Sequence, residues 1–162
     1  MSEVDELVRR LRRVEDELAI HRLVVRYGFA ADSGAADELA AMFTEDGVYE
    51  VDGAYVTEGR PLVLRGRAEL RAMILGERHV ALRPRCAHTI GPVAVEVDGD
   101  RARVVGYSRV YWGTGDDAQL HRLSANEWRC ERVGEQWLIA YRRSVMVGSA
   151  EAQAVLKHGL RG

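Results

Sequence analysis

Beyond Arg85 the chain changes texture, and this change constrains the fold more than any other feature. Turn signals at Asp98-Gly99, Gly113-Thr114-Gly115-Asp116-Asp117 and Val133-Gly134-Glu135 separate segments of alternating apolar residues. Asp-Gly between two such segments is a strong hairpin signal, because glycine adopts the positive φ that a tight turn requires. The spacing predicts strands over Val93–Val97, about Arg101–Trp112, Leu120–Arg132 and Gln136–Val147, joined as an antiparallel meander.

The first half carries a helical period instead. Val4, Leu7, Leu11, Val14, Leu18 and Val25 recur at three- and four-residue spacing, the repeat of one helix face. Ser2 can cap the start, with Glu3 and Asp5 in the first turn, where acids are favoured. The face widens at Ile20, Leu23, Val24 and Phe29, which predicts deeper burial of the second half. Asp32-Ser33-Gly34 should stop the helix near Ala31. A short helix over Ala36–Phe43, a strand over Val48–Val51 and a third helix over Arg67–Glu77 follow, the last with Leu70, Ile74 and Leu75 as apolar positions. Residues 54–64 are ambiguous, and Pro61 weakens a central-strand reading there. The tail has room for a short helix over Ala150–Leu156. Helices segregated from an antiparallel sheet define the α+β class, and a curved sheet with helices across one face encloses a pocket.

Composition narrows the partners. A length of 162 residues with 47% hydrophobic content suits one domain over 1–162, and a second core would be hard to fit. No window approaches the ~18 uncharged apolar residues of a membrane span. The N-terminal segment is charged throughout and lacks the apolar stretch of a secretion signal. These features predict a cytoplasmic protein. A net charge of −2 argues against nucleic acid as the main partner. Cys86 and Cys130 are too few for a disulfide framework. All but Lys157 of the 23 basic residues are arginine. Arginine suits bidentate recognition of anions, but most of these lie on the first helix or at strand edges and read as genomic background. Arg122 is the exception, because alternation places it on one face with Ser124, Asn126 and Trp128.

No phosphate loop, dinucleotide fingerprint or nucleophile elbow is present. His21 falls in the apolar series of the first helix and reads as core or interface. His79, His121 and His158 are scattered without metal-ligand spacing, so no metal or cofactor is expected. Cys86 shares a strand face with His88 and reads as a packed thiol.

Five stretches occur in a telling order. They are Arg26-Tyr27-Gly28-Phe29-Ala30-Ala31-Asp32-Ser33-Gly34, Leu39 through Val48, Leu64-Arg65-Gly66-Arg67, Arg85-Cys86-Ala87-His88-Thr89-Ile90 and Gln136-Trp137-Leu138-Ile139. Together they resemble the SnoaL-like branch of the nuclear transport factor two-like superfamily, over about residues 5–147. The resemblance implies a cone-shaped α+β barrel, a long curved antiparallel sheet with three helices over one face around a pocket. Its members include scytalone dehydratase, a dehydrochlorinase, polyketide cyclases, dioxygenase subunits and proteins that only bind ligands, so fold alone does not give function.

The resemblance implies catalytic roles for Asp32 and His88, the aspartate and histidine of the dehydratase and dehydrochlorinase motifs. Without it, Asp32 reads as a turn residue and His88 as a half-buried strand histidine. A carboxylate that holds a histidine fixes its tautomer and stabilises the imidazolium formed on taking a proton. Ser124 and Asn126 match pocket residues of the dehydratase, and Trp128 completes the dehydrochlorinase-like Asn-Glu-Trp. Tyr27, Tyr49, Trp112 and Arg122 join them as candidate substrate contacts. Phe29, Met73, Ile90 and Val110 are candidates for the apolar wall. Ala31 and Val51 stand where the dehydratase has its carbonyl-polarising tyrosines, and its second histidine falls near Thr114. The carbonyl-polarising group must therefore be missing or rebuilt from Tyr27 or Tyr49, with Asn126 or Tyr27 as candidate oxyanion donors. The expected function is a cofactor-free lyase, isomerase or cyclase acting on a small apolar or aromatic carbonyl compound. The alternative is a non-catalytic binding protein or partner subunit. The heptad-like face of residues 4–25 and the outer sheet face exceed what one small core can cover, which suggests a homodimer or homotrimer.

Overall fold

Ser2 caps the first helix reciprocally: its Oγ accepts from the Asp5 amide at 3.1 Å, and the Asp5 carboxylate accepts from the Ser2 amide at 2.9 Å. Helix α1 then runs Glu3–Ser33 and stops at Gly34, whose φ of 73° is left-handed, a conformation that glycine adopts without steric cost. This computed structural model describes residues 2–52, 60–113 and 115–160. The ambiguous segment is thus described only from Arg60 onward, and Thr114 lies outside the described residues.

The remaining elements are α2 (Ala36–Ala41), β1 (Phe43–Val51), β2 (Leu62–Arg65), α3 (Gly66–Leu75), α4 (Glu77–Leu82), β3 (Cys86–Asp98), β4 (Arg101–Gly113), β5 (Ala118–Val133), β6 (Gln136–Met146) and α5 (Ala150–His158). The second helix ends before Phe43, which instead opens β1; the third predicted helix ends at Leu75, and a further helix that the sequence reading did not predict, α4, follows Gly76. Six strands form one sheet in the order β2-β1-β6-β5-β4-β3. The pairings are antiparallel except β1 with β6, which is parallel. The sheet is curved but open, so the expected barrel is a partial cone. Among the described residues, no helix is long and apolar enough to cross a membrane.

The core lies between the concave sheet face and helices α1 to α3. Ile20, Leu23, Val24 and Tyr27 of α1, Leu39 of α2 and Leu70 and Ile74 of α3 pack there with Val104, Trp128 and Ile139. Asp16 anchors this layer. Its carboxylate accepts from Arg132 Nη2 at 2.7 Å and from Trp137 Nε1 at 3.0 Å, tying α1 to the β5–β6 hairpin. Burial raises the Asp16 pKa, but the Arg132 and Trp137 hydrogen bonds outweigh it, and the group titrates below its usual value. On the opposite sheet face α5 packs through Ala152 and Val155 on Val105, Ala125 and Val145.

The apolar series of α1 does not serve the core. Val4, Leu7, Leu11, Val14 and Leu18 are 49–69% exposed, and every described residue through Glu15 is exposed. Burial begins at Asp16 and follows a different stripe. Phe29, expected in the pocket wall, points outward and is 66% exposed.

Candidate active site

Asp32 occupies the last turn of α1, and His88 is the third residue of β3. The helix can approach the strand because residue 28 has no side chain: a Cβ there would lie 2.4 Å from the His88 carbonyl oxygen. One turn further on, the Asp32 carboxylate grips His88 twice. Oδ2 accepts from the His88 backbone N–H at 2.7 Å, and Oδ1 accepts from ring Nδ1 at 2.6 Å. A carboxylate has no hydrogen to give, so Nδ1 carries the proton and Nε2 is left as the basic nitrogen. No described residue hydrogen-bonds to Nε2. Burial raises the Asp32 pKa, but the bonds from the His88 ring and backbone, the His88 charge and the Cys86 thiol together bring it below the usual value.

Cys86 stands beside the pair, its Sγ 3.5 Å from Asp32 Oδ1 and 4.0 Å from His88 Nδ1. Burial first, then the Asp32 charge, push its pKa up to about 11. It is therefore a neutral thiol donating to the carboxylate, and a poor nucleophile. Among the described residues, Asp32, Cys86 and His88 are the one group with donor atoms all within 4.8 Å of one another. A metal ion there would have to break the Nδ1–Oδ1 bond and ionise that thiol.

His88 forms part of the wall of a cavity of about 430 Å³ between the helices and the concave sheet face. The rest comes from Tyr27 of α1, Tyr49 and Val51 of β1, Met73 of α3, Arg78, His79, Ala81 and Leu82 of α4, Ser108, Val110 and Trp112 of β4, His121 and Arg122 of β5, and Arg142, Ser144 and Met146 of β6. Tyr27, Tyr49, Trp112 and Arg122 thus line the cavity, as do Met73 and Val110. Ser124, Asn126 and Trp128 do not. All three are fully buried behind the wall, and Ile90 packs in the core. The Asn126 amide is fully engaged by protein, with Nδ2 donating to Ser108 Oγ at 2.7 Å and Oδ1 accepting from Arg142 Nε at 3.2 Å and Nη2 at 3.0 Å. Nδ2 also donates to the Ser124 carbonyl at 3.3 Å, so Asn126 holds Arg142 and has no N–H left for an oxyanion. Ser124 Oγ accepts from Arg122 Nε at 2.9 Å, while Arg122 Nη2 donates to the Asp52 carbonyl at 2.6 Å.

Of the wall residues that escaped the sequence reading, three bear on the chemistry. His79 is buried and stacks on His88 with centroids 6.1 Å apart, its Nε2 donating to the Ala31 carbonyl at 2.9 Å. Burial is the main reason that its pKa is lowered, so it stays neutral near pH 7. Only its place in α4 could have flagged it. His121 lies in a bulge: Val110 pairs with Arg122 and Tyr111 with Leu120, leaving His121 as an extra residue. A bulge re-aims side chains, and His121 joins Arg122 at the cavity beside Trp112, 5.6 Å away. Arg142 turns inward for a similar reason. Ala140 is skipped between the Arg129–Tyr141 and Cys130–Ile139 pairs, so the inward set passes from Trp137 and Ile139 to Arg142, Ser144 and Met146.

Comparison with known proteins agrees with this architecture. Among curated proteins none matches the chain. A protein with a cystatin-like fold from Novosphingobium aromaticivorans, described as NTF2-like, is 38% identical, with 96% of this chain and 98% of that one covered and a TM-score of 0.87. Rv3472 from Mycobacterium tuberculosis, a protein of unknown function, is 28% identical over 99% of this chain and 92% of its own, at a TM-score of 0.71. A provisionally named scytalone dehydratase from Novosphingobium aromaticivorans shares 18% identity over 85% and 97% of the two chains, with a TM-score of 0.66; that likeness is one of fold. The model of the SnoaL-like domain matches residues 12–143, from just before burial begins in α1 through Arg142 and its neighbour in β6. With its sheet, cavity and matched span in agreement, the chain belongs to the SnoaL-like domain family.

Proposed function

We propose that the protein is a cofactor-free lyase, isomerase or cyclase that removes a proton next to a carbonyl group of a small apolar or aromatic molecule. The observation that supports this is the doubly held Asp32–His88 pair at the wall of a mostly apolar cavity. His88 Nε2 takes the proton as the C–H bond breaks, and the bonding electrons pass to the carbonyl oxygen as an enolate. Asp32 stabilises the imidazolium. The enolate then expels a β-substituent, closes a ring or is reprotonated at another carbon. A placed base of this kind supplies about 10²–10⁴-fold. With Asn126 engaged by protein, Tyr49 takes the oxyanion-stabilising role.

The experiment is α-proton exchange in D2O, followed by proton NMR over a panel of aryl ketones and β-hydroxyketones. Wild type should accelerate exchange of at least one, and His88→Ala should abolish it. Binding without any accelerated exchange would favour the alternative of a non-catalytic binding protein.

We also propose a homodimer or homotrimer built on the exposed stripe of α1. Val4, Leu7, Leu11, Val14 and Leu18 follow the alternating three–four spacing of a coiled-coil seam. In parallel register the flanking charges are complementary, with Arg10 facing Glu15 of a second copy and Glu17 facing its Arg22.

A further inference from the structure

Among the described residues, Arg142 is a buried cation whose contacts are all neutral. It is 3% exposed. Its guanidinium lies 4.2 Å from the Tyr27 ring centroid, 4.5 Å from that of Tyr49 and 5.4 Å from that of Trp128. Nε and Nη2 share one amide oxygen, Asn126 Oδ1, and Nη1 is buried with no hydrogen-bond partner. No carboxylate among the described residues pairs with it. Aromatic faces and a neutral amide offset only part of the cost of taking a guanidinium out of water, and an unmet N–H in the interior adds to it. The side chain nevertheless lines the cavity, and among the described residues no aspartate or glutamate does. The charge is complementary to something that arrives from outside the chain.

We infer that the cavity takes an acid: a planar, largely apolar molecule whose carboxylate pairs with Arg142. The chemistry fits on both sides. Tyr27, Tyr49 and Trp112 offer faces and edges to a flat ring system, and Val51, Met73 and Val110 offer apolar surface. A guanidinium is the side chain best matched to a carboxylate in geometry. Asn126 fixes the guanidinium from behind, so little ordering is left to the ligand. This rests on the reading of the cavity as the ligand site made above, and it narrows the carbonyl compound to a carboxylic acid.

Binding of matched pairs tests it without any turnover. Benzoate and benzamide, 2-naphthoate and 2-naphthamide, and cinnamate and cinnamamide differ in charge but hardly in shape. Isothermal titration on the full chain should find at least one acid bound at least tenfold more tightly than its amide, a difference of about 1.4 kcal/mol. Arg142→Met, confirmed folded by circular dichroism, should bring the pair to within about threefold, whereas His88→Ala should keep the preference. Retention in His88→Ala separates this inference from the proton-transfer mechanism, which can fail while the preference stands. Should Arg142→Met not fold, the wild-type comparison decides alone. Amides bound as tightly as acids, a preference that survives in Arg142→Met, or no acid bound in the panel would each overturn the inference.

Discussion

Replacing Asp32 by asparagine changes one atom and should invert the chemistry of His88. In the wild type both carboxylate oxygens accept, Oδ2 from the His88 backbone N–H at 2.7 Å and Oδ1 from Nδ1 at 2.6 Å. Asparagine keeps only one acceptor. The backbone N–H cannot turn away, so the amide oxygen should stay with it and the NH2 group should face Nδ1. Nδ1 must then accept, which moves the ring proton to Nε2 and removes the lone pair that would act as base. A wrong tautomer in an aspartate–histidine pair costs on the order of 10⁴-fold in rate. One charged hydrogen bond becomes neutral and another reverses direction. A hydrogen bond to a charged group contributes about 1.5–3 kcal/mol. With the two side chains 23% and 25% exposed, solvent screening reduces this to about 1–2 kcal/mol. At about 2–4 °C per kcal/mol for a chain of this size, Tm should fall by roughly 2–8 °C. The direct assay is long-range proton–nitrogen correlation NMR of the His88 ring at pH 8, which distinguishes the two tautomers without any substrate. Wild type should show the Nδ1–H form and Asp32→Asn the Nε2–H form. An unchanged tautomer in Asp32→Asn would refute the claim that this carboxylate sets it.

Four further outcomes follow from the same geometry. Gly28→Ala should destabilise by about 1–2 kcal/mol in urea denaturation, because overpacking against the His88 backbone oxygen outweighs the ~1 kcal/mol that alanine gains in a helix; net stabilisation would sink the close-approach argument. The Cys86 thiol should react with iodoacetamide roughly 100-fold more slowly at pH 8 than an ordinary thiol, 11 − 9.0 being two units, as read by mass spectrometry of the labelled peptide. The Asp32 pKa is depressed in the folded state, so its ion contributes stability above the unfolded value of 3.8 and loses it as pH falls through the lower folded value. The stability gap between wild type and Asp32→Asn should accordingly shrink below pH 3.8. Leu11→Glu should convert the assembly to monomer on size exclusion with its circular dichroism unchanged, whereas a monomeric wild type would remove the proposed coiled-coil seam.

Local rules carry far in this chain. Ser2, the acids after it and Gly34 bound α1 within a few residues, because capping and left-handed glycine are satisfied by immediate neighbours. The turns at Asp98-Gly99 and Val133-Gly134-Glu135 set the meander for the same reason. Asp32 and His88 were legible through motifs that place each beside a recognisable element end, Trp112 and Arg122 through strand alternation, Tyr27 through its place five residues before Asp32, and Tyr49 as a second candidate for the carbonyl-polarising group. Alternation also pointed to Asn126, Ser124 and Trp128, but it gives a face and not a depth, and these three lie behind the cavity wall.

What only the tertiary structure decided is where the periodic patterns change phase and what covers them. The stripe from Val4 to Leu18 has the helical period of a core face, yet the sheet ends before it and α1 projects past the body. An extra residue at His121 and another at Ala140 are invisible in one sequence, since each is a matter of register between two strands. Those slips turn His121 and Arg142 toward the cavity, and Arg142 has no carboxylate partner among the described residues. The sequence by itself determined most of the elements and singled out the Asp32–His88 pair, because turns, caps and motifs are local. The cavity's charge was decided by pairing across the sheet, where a one-residue shift exchanges the inward and outward faces of a strand.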